Sequence, residues 1–126
     1  MNGFNITIKE TTAELTPKMR VMLKDTTNAI KLDEIANDTE NLVKIQPKDY
    51  AILAVHNEKS DNKDYELYLI IDRDGTKYVT GSPSFWNAFL GIFEELADET
   101  EPWSIVVYKR DSKNYKGKQF LTCSLC

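Results

Sequence analysis

The chain has 126 residues and a mass of 14.5 kDa, and its 41% hydrophobic and 29% charged residues exclude a disordered or fibrous protein. A chain of this length and composition is expected to fold without disulfide or metal support. The formal net charge is −4, but the segment from Trp103 onward contains five bases and one acid, so the preceding 102 residues carry −8. The C-terminal segment is therefore a local basic patch on an acidic chain.

The first 45 residues are predicted to form a strand followed by a helix. Residues 4–9 alternate as a strand does, and Thr16-Pro17 is a typical helix start. The helix is expected to continue to about Ile30, with apolar residues along one side: Leu15, Met19, Met22, Leu23 and Ile30. We interpret residues 1–45 as an N-terminal extension that either packs on the following domain or mediates self-association.

Three strands are predicted next, over residues 50–56, 65–71 and 77–80. Between the last two strands, Asp74-Gly75 is typical of a two-residue hairpin turn, because such turns need positive φ angles. With these turn residues, Ile71 pairs with Tyr78 and Leu69 with Thr80, and a register shifted by one residue stays open as the alternative. The opposite face of the hairpin is then expected to carry Tyr68, Ile70, Asp72, Lys77 and Val79.

A change of hydrophobic period after Gly81 predicts a helix over residues 83–97. Ser82 is a suitable cap and Pro83 a suitable first helical residue. Apolar residues recur at three- and four-residue spacing, which favours a core-packing face over a ligand site: Phe85, Trp86, Phe89, Ile92, Phe93 and Leu96. An acidic run follows that is either a solvated face or a contact for a protein partner: Glu94, Glu95, Asp98, Glu99 and Glu101.

Two further strands are predicted over residues 103–108 and 119–125. Residues 46–126 therefore have the order strand, strand, strand, helix, strand, strand. This order is typical of the five-stranded oligonucleotide/oligosaccharide-binding (OB) barrel. The sequence predicts a mainly β fold with some α structure, in which an OB-like binding domain over residues 46–126 follows the extension over residues 1–45.

Catalytic and metal-binding patterns have little support. His56 lacks a Ser or Cys arrangement that would make it a general base, and the turn containing Asp72 and Asp74 lacks the ligand count of a calcium site. Cys123 and Cys126 have the spacing of a redox pair, but residues three apart in a strand point to opposite faces. We predict no enzymatic activity, no cofactor and no metal. The absence of a signal sequence or membrane-spanning run predicts a cytoplasmic protein.

The last hairpin combines bases with aromatic residues, which is the chemistry that single-stranded nucleic acids require. Cations follow the phosphate backbone while flat rings stack on bases. The predicted binding residues of the hairpin are Tyr108, Lys109, Arg110, Lys113, Tyr115, Lys116, Lys118 and Phe120. Tyr68 and Lys77 extend this prediction to the second and third strands, although Glu66 and Asp72 weaken it there.

The sequence resembles small phage-type single-stranded-DNA-binding proteins with an OB fold. The resemblance covers about residues 46–126 and depends on the strand order, the helix beginning Ser84-Phe-Trp-Asn-Ala-Phe, and the closing Ser112-Lys-Asn-Tyr-Lys-Gly-Lys-Gln-Phe hairpin. It implies non-enzymatic protection of single-stranded DNA during phage replication or recombination, in the host cytoplasm. The chain departs from the family in two respects. Its net charge is negative, which does not favour DNA binding, and it lacks an acidic tail.

The −8 charge of residues 1–102 motivates a second hypothesis. An acidic surface of this size could occupy the basic groove of another protein, as expected of a phage inhibitor of a host nucleic-acid enzyme. The fold alone does not choose between the two hypotheses, because OB barrels carry many unrelated binding functions. The preference for DNA over RNA and the oligomeric state, including self-association, also stay open at this point.

Overall fold

A computed structural model describes residues 4–36, 43–59, 63–111 and 119–125. The described chain is mainly β, as predicted. Its strands are β1 (Phe4–Thr11), β2 (Ile30–Lys31), β3 (Val43–Ile45), β4 (Pro47–Asn57), β5 (Asp64–Asp72), β6 (Lys77–Thr80), β7 (Ile105–Asp111) and β8 (Gln119–Leu125). Its helices are α1 (Pro17–Lys24), α2 (Leu32–Ile35) and α3 (Pro83–Glu95).

The predicted order of three strands, a helix and two strands is confirmed, since β4, β5, β6, α3, β7 and β8 follow one another along the chain. Within the described residues, however, the strands form two separate sheets and no closed barrel. One sheet has the order β1-β4-β5-β6-β2, and the other has the order β3-β7-β8.

The chain divides into two compact units, each assembled from two segments. Unit 1 comprises Met1–Ile30 and Lys48–Gly81, and unit 2 comprises Lys31–Pro47 and Ser82–Cys126. This division does not follow the predicted boundary after residue 45. The reason is strand pairing, because β1 pairs with β4 and β3 pairs with β7, so the first 45 residues contribute strands to both sheets.

Helix α1 begins as predicted but ends earlier. The Thr16 hydroxyl oxygen accepts a hydrogen bond from the Met19 amide at 3.1 Å, which caps the helix. The helix stops at Lys24, because the Asp25 carboxylate accepts from the Thr27 amide at 3.0 Å and turns the chain toward β2. Of the predicted apolar side, Leu23 is fully buried in the unit 1 core, whereas Leu15 and Met22 are exposed.

The β5–β6 hairpin has a register one residue away from the predicted one. Ile71 pairs with Lys77, and Leu69 pairs with Val79. The loop has three residues instead of two, since the Asp72 amide donates to the Thr76 carbonyl at 2.8 Å. Gly75 takes a φ of +93° within this loop. The carboxylates of Asp72 and Asp74 accept from backbone amides two residues ahead, which favours the longer loop.

In unit 2, α3 packs against β8. The Ser82 hydroxyl accepts from the Phe85 amide at 3.3 Å, so the predicted cap is confirmed. The predicted core role of the aromatic face is also confirmed, because Phe85, Trp86 and Phe89 are buried. The Ser84 hydroxyl donates to the Leu121 carbonyl on β8 at 3.0 Å. These contacts hold α3 against β8.

Candidate nucleic-acid interface

The register of β7 and β8 assigns each hairpin residue to one of two faces. Arg110 pairs with Phe120, and Tyr108 pairs with Thr122. Side chains alternate along a strand, so these two pairs share one face. The opposite face is the packed one, since four of its members are 6% exposed or less: Ile105, Val107, Leu121 and Cys123.

We call the other side the outer face of this sheet. Strand β3 extends it, because Lys44 pairs with Val106. Every described side chain on this face is exposed or half-buried. Its members are Lys44, Val106, Tyr108, Arg110, Phe120, Thr122 and Ser124, and none of them is acidic.

Two cations lie on the outer face, and a third cation of the hairpin lies on the opposite side of the sheet. Arg110 and Lys44 are both exposed. Lys109 belongs to the opposite side by alternation, and its ammonium donates to the Asp33 carbonyl at 2.8 Å. The structure therefore does not place Lys109 with the predicted binding residues. Lys44 was not predicted as a binding residue, although the alternation in Val43-Lys44-Ile45 is typical of a strand with one solvent-facing base.

Two aromatic rings lie on the outer face. Phe120 is 37% exposed, which is unusual for a phenyl ring and leaves part of it accessible for stacking. Tyr108 is half-buried, and its hydroxyl lies 2.6 Å from the Ser124 hydroxyl. This hydrogen bond fixes the tyrosine ring along the sheet. The structure thus places three of the predicted binding residues on one face: Tyr108, Arg110 and Phe120.

Four of the predicted hairpin residues lie in the segment that joins β7 to β8. Lys113, Tyr115, Lys116 and Lys118 fall within residues 112–118, outside the described part of the chain. Their assignment to a nucleic-acid site stays a prediction from sequence. Both ends of the segment adjoin the sheet that carries the outer face, at Asp111 and Gln119.

Tyr68 and Lys77 do not share a face, so the prediction that they form one surface is wrong. The observed register puts Lys77 with Leu69 and Val79, whereas Tyr68 pairs with Thr80. The Lys77 ammonium donates to the Met22 carbonyl at 3.1 Å and to the Asp25 carbonyl at 2.6 Å. Lys77 therefore neutralises the C-terminal end of α1.

Tyr68 lies beside an acidic group. Its hydroxyl is 3.5 Å from the Glu66 carboxylate. Burial raises the pKa of the phenol, and the negative charge of Glu66 raises it further. The same carboxylate also pairs with Lys9. Lys9, the cation beside Tyr68, is therefore already paired with a carboxylate, whereas the described side chains of the outer face include no acid.

His56 lines a groove of about 390 Å³ on unit 1. The ring Nδ1 lies 2.7 Å from the Asp64 carboxylate, and Nε2 lies 2.5 Å from that of Glu58. Hydrogen bonds to Asp64 and then Glu58 raise the pKa of His56. Among the residues that the structure describes, no group of three or more His, Cys, Asp or Glu side chains is arranged to hold a metal ion.

Cys123 is buried on the packed face of β8, and this burial raises the pKa of its thiol to about 12. A thiol that stays protonated is a poor nucleophile and a poor metal ligand. Its partner in the predicted pattern, Cys126, lies outside the described residues. Cys123 therefore acts as a small residue of the core.

Comparison with known proteins gives no relative, since no family model, curated protein or solved structure matches the chain. None of the helices in the described ranges is long and apolar enough to cross a membrane.

Proposed function

We propose that this protein binds single-stranded DNA without enzymatic activity, through the outer face of the β3-β7-β8 sheet. The observation that carries the proposal is the cross-strand pair of Arg110 and Phe120, an exposed cation directly opposite an exposed ring. Tyr108 and Lys44 lie on the same face. Cations beside rings on a surface without carboxylates supply both interactions that a single strand requires.

In this proposal the two exposed cations bind phosphates and the rings bind bases. Arg110 offers a planar guanidinium that can donate two parallel hydrogen bonds to one phosphate, and Lys44 offers a point charge. Phe120 provides a stacking surface for any of the four bases, so little sequence preference is expected. The segment 112–118 joins β7 to β8 in sequence and contains three lysines and a tyrosine, so it adds to the positive charge of the C-terminal hairpin.

We further propose that residues 46–126 are a variant of the OB fold. The order of five strands and one helix supports this assignment, and the resemblance to phage-type binding proteins points the same way. The proposed roles in phage replication or recombination, and in the cytoplasm of a host, depend on that resemblance. In OB folds the loop joining the last two strands is a common contact for nucleic acid, and here that loop is the basic segment.

The test is a fluorescence-anisotropy titration of labelled oligothymidine at a series of salt concentrations. The wild-type protein should bind at low salt and weaken as salt rises, because each phosphate contact releases counterions. Absence of binding at low salt would refute the proposal and leave the acidic surface, and hence a protein partner, as the remaining hypothesis.

Two neighbouring residues on β7 make a matched pair of variants. Arg110→Gln should reduce the slope of log affinity against log salt by about 0.7, which is the contribution of one phosphate contact on a single strand. Lys44→Gln should do the same. Lys109→Gln removes an equal charge from the opposite face, where the ammonium already binds the Asp33 carbonyl, and should leave the slope unchanged. Equal effects of Arg110→Gln and Lys109→Gln would contradict the assignment of the outer face.

A further inference from the structure

Helix α3 and the end of β8 form an apolar groove of about 470 Å³ on unit 2. Its lining includes Ala88, Gly91, Ile92, Leu96 and Leu125, together with Glu95. Leu125 is 54% exposed, although it is an aliphatic side chain at the end of a strand. An apolar groove with a charged side chain at its border is a typical site for a helix that has one apolar face.

The groove lies in the most acidic part of the chain. Residues 82–102 contain five carboxylates and no base. All five carboxylate residues are exposed: Glu94, Glu95, Asp98, Glu99 and Glu101. The occupant of the groove should therefore combine exposed apolar side chains with positive charge.

Helix α1 of unit 1 has this combination. Three of the six large hydrophobic residues that are exposed in the described chain lie in or next to it: Leu15, Val21 and Met22. Residues 15–24 contain three bases and no acid, and the bases are all exposed: Lys18, Arg20 and Lys24.

Val21 is the centre of this surface. It is 71% exposed, and Lys18 and Lys24 are three residues away on either side, so all three lie along one face of the helix. Leu23 is buried in the unit 1 core and fixes the helix with Val21 turned outward. The exposed face of α1 is thus an apolar side chain between two cations.

We propose that α1 of one molecule docks into the α3 groove of a second copy of this chain, so that the protein self-associates head to tail. Val21 and Met22 contact the apolar lining, while Lys18 and Lys24 face the carboxylates beside Glu95. The two surfaces are different patches, so the contact is heterologous, with one molecule contributing its α1 and the other its groove. This proposal is independent of nucleic-acid binding.

Sedimentation velocity at low salt is the first test. The wild-type sedimentation coefficient should rise with protein concentration and should fall when salt is added, because the contact contains exposed charge pairs. A single monomeric species at every concentration would overturn the proposal. Circular dichroism of each variant checks that it is folded before its association is interpreted.

Charge reversal on either surface should abolish the association. The basic-surface variant is Lys18→Glu with Lys24→Glu, and the acidic-surface variant is Glu95→Lys with Asp98→Lys. Each should sediment as a monomer at concentrations where the wild type associates. A control with the same charge change elsewhere in unit 1, Lys48→Glu with Lys59→Glu, should associate like the wild type, because both lysines are exposed and outside α1.

Mixing the two reversed proteins distinguishes the proposed contact from general charge effects. The acidic-surface variant keeps its basic α1, which fits the unchanged groove of the other variant, so the mixture should regain association that neither protein has alone. Val21→Ser should weaken wild-type association without altering the fold. A mixture that stays monomeric, or a Val21→Ser protein that associates normally, would overturn the proposal.

Discussion

Phe120 is the residue on which the proposed stacking surface most depends. Its ring is 37% exposed on a face that also carries Arg110 and Tyr108. Leaving a phenyl ring partly in water costs free energy, and a base stacked on the ring would recover part of it.

We expect Phe120→Ala to weaken binding of oligothymidine by about 5- to 150-fold, because one stacked base contributes about 1 to 3 kcal/mol. The matched control is Ile35→Ala, which truncates an apolar side chain of similar exposure, 40%, on α2. The control should bind like the wild type. Anisotropy titrations of both variants measure the difference, and an unaffected Phe120→Ala protein would remove stacking on this ring from the mechanism.

His56 is expected to make stability depend on pH. Its hydrogen bonds to Asp64 and Glu58 raise the pKa of the folded-state ring above 6.5. The resulting stabilisation is therefore fully present below the unfolded-state pKa and is lost as pH rises through the folded-state value. Urea unfolding should show a lower free energy of unfolding at about pH 8 than at about pH 6. His56→Gln should reduce this difference, and an NMR titration midpoint at or below 6.5 would contradict the assignment.

Two adjacent bases on strand β7 have different roles. Arg110 faces outward opposite Phe120, and Lys109 turns back to the Asp33 carbonyl. Lys77 on β6 has a similar structural role in unit 1, where it binds two carbonyls at the end of α1. A basic residue on a strand therefore indicates nucleic-acid contact only when its face and hydrogen-bond partners are known.

Lys77→Met should destabilise the protein and leave nucleic-acid binding unchanged. Loss of the two hydrogen bonds to the Met22 and Asp25 carbonyls should lower the free energy of unfolding by roughly 1 to 3 kcal/mol. Arg73→Met is the control, since Arg73 is exposed in the neighbouring turn and its removal should change stability by less than about 0.5 kcal/mol. If the folded Lys77→Met protein bound oligothymidine more weakly than the wild type, β6 would be part of the binding site.

The elements with strong local signals were predictable from sequence. Helix α3 has a Ser cap, a Pro at its first position and a clear helical period, and β8 was predicted with its observed ends. The register of β5 and β6 was not, because the side-chain hydrogen bonds of Asp72 and Asp74 decide between a two- and a three-residue loop. That one-residue shift moved Lys77 to the other face from Tyr68.

Part of the candidate site depends on long-range pairing, which local patterns do not contain. Lys44 joins the outer face only because β3 pairs with β7, more than 60 residues further along the chain. The end of α1 is a similar case, since it depends on a turn at Asp25 that competes with a continuing helical pattern. Sequence reasoning found Tyr108, Arg110 and Phe120 because they are close together in the chain.

At the scale of the whole molecule, the distribution of charge matters more than its sum. Residues 103–126 carry +4 and the rest of the chain carries −8. A net charge of −4 would oppose nonspecific attraction to nucleic acid, so the proposed binding would depend on local cations within about a Debye length of the strand. The cations of the outer face and the three lysines of residues 112–118 all belong to unit 2.

Backbone-amide NMR shift mapping with oligothymidine at low salt would locate the proposed DNA-binding surface. The largest shifts should fall on the outer face, at Lys44, Arg110, Phe120 and their neighbours, with small shifts along β5. Shifts concentrated around Tyr68 on β5, or no shifts at all when oligothymidine is added in excess, would contradict it.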